Sequence, residues 1–142
     1  MKKQIALPLA TYLAKFAERE LPKENGVINF RRVPLMAVNN YHHYATYFEN
    51  IKNKSNIALL KIEVNSTHQR YLYAIKSYVE DLFHTKFIAY ITAYLQTGGL
   101  LKVALANFLQ QYNICEFNEL KLDTLQKRWT RHNQQLKKGR KP

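Results

Sequence analysis

Residues 66–99 read STHQRYLYAIKSYVEDLFHTKFIAYITAYLQTGG, and this stretch decides the fold. Leu72, Ile75, Val79, Leu82, Phe83, Phe87, Ile91 and Tyr94 recur mostly three or four residues apart, which is the repeat of one face of an α-helix. Ser66-Thr67-His68-Gln69 has the Ser-x-x-Gln form of a capping box, so a helix should open there. Thr97-Gly98-Gly99 closes the pattern. A single long helix is therefore expected as the spine of the fold, with His84-Thr85 as the place where it would break.

On the N-terminal side, Ile57 to Val64 reads as a strand in which Ala58, Leu60, Ile62 and Val64 share one face. Asn25-Gly26 signals a turn. Val27 to Val33 after it is rich in β-branched and aromatic residues, so it reads as a second strand ending at Pro34. Met36 to Ile51 carries Tyr41, Tyr44, Tyr47, Phe48 and Ile51 at helical spacing. Leu7 to Leu21 reads as one amphipathic helix on Leu9, Leu13, Phe16 and Ala17, with Pro8 in its first turn and Pro22 closing it.

On the C-terminal side, Leu101, Leu105, Phe108 and Tyr112 mark another helix, and Ile114 to Leu122 reads as a connection. Asp123-Thr124-Leu125-Gln126 repeats the capping pattern, with Asp123 as N-cap, and opens a final helix through Trp129 toward Gln135. Residues 137–142 should form a mobile basic tail. The expected architecture is mainly α, an α+β fold with a short two-stranded sheet and a long central helix. Residues 1–98 would be a scaffold and dimerisation unit, residues 99–136 a helix pair and residues 137–142 the tail.

Composition narrows the function classes. The 142 residues are 46% hydrophobic and 13% aromatic, too apolar for intrinsic disorder and enough for one core. Cys115 is the single cysteine. An internal disulfide and a thiolate zinc site are thereby excluded within one chain, and a reducing, cytoplasmic setting fits. Between Ile114 and Glu116 it reads as a small apolar filler. The N-terminus lacks the form of a secretory signal, and no apolar run is long enough to span a membrane. His42-His43, His68, His84 and His132 show no metal-ligand spacing, and no nucleophile elbow, phosphate loop or dinucleotide fingerprint occurs. No cofactor or metal is expected, and the chain reads as a binding protein with no sign of an enzyme.

Charge supplies the positive clue. The chain has 22 Lys and Arg against 10 Asp and Glu, a formal charge of +12. Such a field favours a polyanionic partner. It is concentrated at the C-terminus: Lys121, Lys127, Arg128, Arg131, Lys137, Lys138, Arg140 and Lys141 face only Asp123, a net of +7. On the last helix Leu125 and Trp129, four apart, mark the packing side, while Lys127, Arg128 and Arg131 mark a cationic one.

Phe108 to Ile114 followed by Leu122 to Trp129 resembles a two-helix reader of the helix-turn-helix class, over roughly residues 100–135. The resemblance implies a second helix in the major groove of DNA, with Thr124, Gln126, Lys127 and Arg131 facing bases or lining the groove. Arg128 and the tail residues Lys137, Lys138, Arg140 and Lys141 would then contact phosphates, with Lys121 and His132 also among the nucleic-acid-binding residues. The connection is longer than the three or four residues of a tight motif. The expected function is duplex-DNA binding by a homodimer, regulatory or accessory to replication or recombination in a phage or mobile element. That last part rests on small size, basicity and the lack of a metabolic signature. The alternatives are a small basic assembly component of a virion or nucleoprotein complex, and an RNA-binding module. The latter would stack bases on tyrosines, for instance those of the Tyr41 to Tyr47 cluster.

Overall fold

A computed structural model describes residues 3–30, 41–51, 54 and 56–139, with the backbone alone at 41–45 and 139. The described elements run β1 (Lys3–Ala10), α1 (Thr11–Glu20), β2 (Lys23–Glu24), β3 (Val27–Asn29), α2 (Tyr41–Ile51), β4 (Ile57–Val64), α3 (Gln69–Gln96), α4 (Leu101–Gln111) and α5 (Leu122–Gly139). The fold is mainly helical α+β. Residues 1–83 and 84–142 form two compact units, so the division falls inside α3 rather than at its end.

The first unit is built on a four-stranded mixed sheet of order β1-β4-β3-β2, not the two-stranded sheet expected. β1 and β4 pair antiparallel over their full lengths, and β3 joins β4 in parallel. The β2–β3 hairpin turns at Asn25 (φ 55) and Gly26 (φ 79), left-handed values that suit a tight primed turn. Leu7, Leu9, Ile28, Phe30, Leu60, Ile62 and Val64 all fall on the buried face. Leu59, one residue out of phase, is 67% exposed. Phe83 of α3 seals this core, edge-on to Tyr12 and Phe16 of α1 with ring centroids 5.2 Å away in each case.

Residues Leu7 to Ala10, expected as the start of a helix, instead belong to β1, and the helix begins at Thr11. Leu9, Leu13 and Phe16 fit a helical period, but Leu7 and Leu9 fit alternation equally well. Pairing with Leu60 and Ala58 across β4 decides between them. Pro8 is tolerated because β1 is an edge strand, where a missing N–H leaves no ladder bond unmade. Its carbonyl accepts a hydrogen bond from the Tyr47 hydroxyl at 3.1 Å.

α3 is a continuous helix of 28 residues with no break at His84-Thr85. Its expected capping box is not made. Ser66 Oγ accepts from the His68 N–H at 3.2 Å, and His68 Nδ1 accepts from the Arg70 N–H at 3.1 Å, so the cap falls two residues later. At the other end, the Gly98 N–H reaches the Leu95 carbonyl (3.1 Å) and the Gly99 N–H the Tyr94 carbonyl (3.3 Å). This is a Schellman stop, with Gly98 at φ 88.

In the second unit Phe87 of α3 packs on Phe108 of α4 (5.4 Å between centroids), and Phe108 on Tyr112 (5.3 Å). α4 ends in a second Schellman stop, with Asn113 at φ 59 and the Ile114 N–H 3.0 Å from the Leu109 carbonyl. The chain then winds through residues 112–121, where Glu119 and Leu120 donate to the Cys115 carbonyl. It enters α5, which packs on α4 through the fully buried Leu125. Residues 31–40, which include the expected end of the second strand and the start of its following helix, lie outside the described residues, as do the side chains of Tyr41, His42, His43 and Tyr44.

Candidate nucleic-acid interface

α5 is amphipathic because its few apolar residues recur at helical spacing. Leu125 is buried and Trp129 half-buried, and both lie on the side that meets α4. The helix starts at Leu122, not after an Asp123 cap: the Lys121 carbonyl accepts from Thr124 (3.1 Å) and Leu125 (3.3 Å), which leaves Asp123 inside the first turn. An acid there and Lys137 and Lys138 in the last turn both complement the helix dipole. Lys137 and Lys138 thus extend the helix instead of opening the expected mobile tail. Arg140 and Lys141 lie outside the described residues.

At about 100° per residue the exposed side of α5 resolves into separate rows. Lys127, Arg131 and Lys138 fall within about 40° of one another and span about 16 Å along the axis, a straight cationic ridge opposite Leu125. All three are exposed. Gln126, Thr130 and Lys137 form the row on one side. The Thr130 hydroxyl donates to the Gln126 carbonyl at 3.0 Å, so its proton is used within the helix. Between this row and the ridge lies a shallow groove lined by Asp123, Gln126, Lys127, Thr130 and Arg131.

Arg128 and His132 form the row on the other side and are half-buried, while Thr124 stands about 20° from Arg131 at the N-terminal end of the ridge. Thr124 and Gln126 therefore sit about 160° apart around the axis. The four residues expected to face bases do not share one row: Thr124, Lys127 and Arg131 fall within about 60° of one another, while Gln126 lies about 100° or more from each of them. The connection through residues 112–121 is also longer than a tight helix-turn-helix allows.

One neighbour of this surface is not signalled by sequence spacing. His84 of α3 lies beside His132, with ring centroids 6.1 Å apart and planes at 69°. Trp129 stacks on His132 at 6.1 Å and 29°. The row Trp129–His132–His84 thus joins α5 to α3 on the surface of the second unit.

A separate polar cluster occupies the first unit. Lys76 Nζ sits 4.6 Å from the Tyr47 ring centroid and 4.8 Å from that of Tyr73, and pairs with Glu80 one turn on. Burial, reinforced by Glu80, Tyr73 and Tyr12, holds the Tyr47 hydroxyl protonated well above the usual tyrosine range. The aromatic pair already encloses the chain's own cation, so the cluster is complete as a structural tie between α2 and α3. Among the described residues no three His, Cys, Asp or Glu side chains are placed to hold a metal ion. Nor is any described helix long and apolar enough to cross a membrane.

No protein-family model, no curated protein and no solved structure matches this chain.

Proposed function

We propose that this protein binds nucleic acid through α5, most readily the phosphate backbone of duplex DNA. The observation that carries the reading is the ridge of Lys127, Arg131 and Lys138, exposed and aligned on the side of α5 opposite the buried Leu125. A straight row of cations on a rigid helix is suited to a row of phosphates, and the excess charge of the C-terminal segment adds long-range attraction. Base reading by Thr124 and Gln126 together is not favoured by their positions about 160° apart round the helix, so the contact is of the positioning kind.

The test is binding of a labelled random duplex across a salt series. Each neutralised phosphate contributes about 0.9 to the slope of log affinity against log salt, so the ridge alone accounts for a slope of about −3. The triple variant K127E/R131E/K138E should abolish binding without lowering the melting temperature. Unchanged binding by that variant would remove the reading.

A second reading, a basic component of a larger assembly, draws on Leu100, Val103, Phe117 and Leu136, large apolar side chains exposed in the second unit. Phe117 is 80% exposed. Self-association that persists in high salt and fails in F117S would favour it.

A further inference from the structure

We infer that Asp123 ends the phosphate-binding row of α5: it refuses a further phosphate at the N-terminal end of the helix, and so sets where a duplex backbone can lie and how tightly it is held. The inference rests on the nucleic-acid reading above. Asp123, Lys127 and Arg131 follow one another at steps of four, each about one turn on and about 40° further round the axis. They therefore belong to one row, and with Gln126 and Thr130 they line the shallow groove beside the ridge. Asp123, Lys127 and Arg131 are all exposed, and Asp123 is the single acidic residue between Lys121 and Pro142.

The start of a helix favours an anion, because its first N–H groups and its dipole both draw negative charge there. In α5 Asp123 supplies that charge from within the first turn. Asp123 lies about 6 Å along the axis from Lys127 and about 12 Å from Arg131. The first distance is within the screening length of physiological salt, about 8 Å, and the second is beyond it. The carboxylate therefore repels a phosphate placed at the first turn and leaves the middle and far parts of the ridge unopposed. One residue thus has two opposed effects. It stabilises α5 through the dipole, and it weakens the hold of α5 on a polyanion.

The experiment is fluorescence anisotropy of a labelled random duplex of about 20 base pairs, long enough for several phosphate contacts, over a salt series, with the melting temperature of each variant measured alongside. D123N should bind about threefold more tightly than the parent chain at low salt, and the gain should shrink as salt rises. D123K adds a fourth cation to the row, and should bind about tenfold more tightly and steepen the salt slope by about 0.9. D123E keeps the anion and should match the parent. Both D123N and D123K should melt slightly lower than the parent, since each removes the charge that complements the dipole. In a merely structural role, loosening the first turn would weaken binding as it lowers stability, so the sign of the affinity change separates the two. If the parent binds duplex and neither D123N nor D123K binds it more tightly, the inference is overturned and α5 binding stands. If the parent binds no duplex at low salt, the nucleic-acid reading falls and this inference falls with it.

Discussion

Gly99 lies directly beneath the Tyr94 ring, so close that a Cβ at Gly99 would overlap the ring atoms Cε1 and Cδ1. The glycine and the tyrosine are the closing residues of the Schellman stop that ends α3, and the Tyr94 carbonyl also accepts from the Thr97 hydroxyl at 2.7 Å. Replacing Gly99 by Ala should force Tyr94 off its position and cost about 1–3 kcal/mol, a typical overpacking penalty. Gly98→Ala meets open space but must hold φ at 88, and should cost about 1 kcal/mol. Chemical denaturation of the two variants checks the order; equal costs, or no cost at Gly99, would contradict the packing.

The Tyr47 hydroxyl donates to the Pro8 carbonyl on the edge strand, and its proton is held above the usual range chiefly by burial. In the unfolded chain tyrosine ionises at about pH 10. Above that pH the unfolded state releases the Tyr47 proton while the folded state keeps it, so stability is full below the ordinary value and falls as pH rises toward the folded one. Tyr47→Phe should lose about 1 kcal/mol at neutral pH from the missing hydrogen bond, and its stability should decline less steeply in alkali. Denaturation midpoints followed from neutral pH to above about pH 10 test both parts.

Features set by local spacing are legible in the sequence itself. The helix of α3, the strand Ile57–Val64 and the turn at Asn25-Gly26 each rest on local spacing or turn chemistry, and each occurs where expected. β1 was hidden because Leu7 and Leu9 satisfy two periods at once, and only the partner strand β4, far along the chain, chooses between them. The helix starts were misplaced because capping is decided by geometry that several nearby residues can supply: His68 rather than Ser66 caps α3, and Asp123 falls inside the first turn of α5. The cationic character of α5 was plain from composition. The splitting of Thr124 from Gln126 needed the helix to be laid out, and the meeting of His84 with His132 needed two helices to pack.

Leu125 of α5 is wholly buried, and it anchors the helix on α4. Leu125→Ala should cost about 2–5 kcal/mol, the range for buried leucines. Because the ridge depends on α5 being held as a rigid helix, the same variant should also weaken duplex binding. Lys127→Ala, on the opposite side, should leave the melting temperature within about 2 °C, as an exposed surface change does. Thermal unfolding combined with binding separates the two: a Leu125→Ala protein of parental stability would place the anchor elsewhere.

The ridge also predicts how the contact discriminates. Lys127, Arg131 and Lys138 lie along one line, so each should meet phosphate and none should carry a base preference. Lys127→Ala, Arg131→Ala and Lys138→Ala should each lower affinity by a similar factor on every duplex sequence and reduce the salt slope by about 0.9. Gln126→Ala should change affinity less, since it lies about 100° or more round the axis from each ridge residue. A selection from random duplexes before and after these changes reads the difference directly. If Gln126→Ala relaxes a sequence preference that the parent protein displays, α5 enters the groove by that flank and the ridge is not the contacting face.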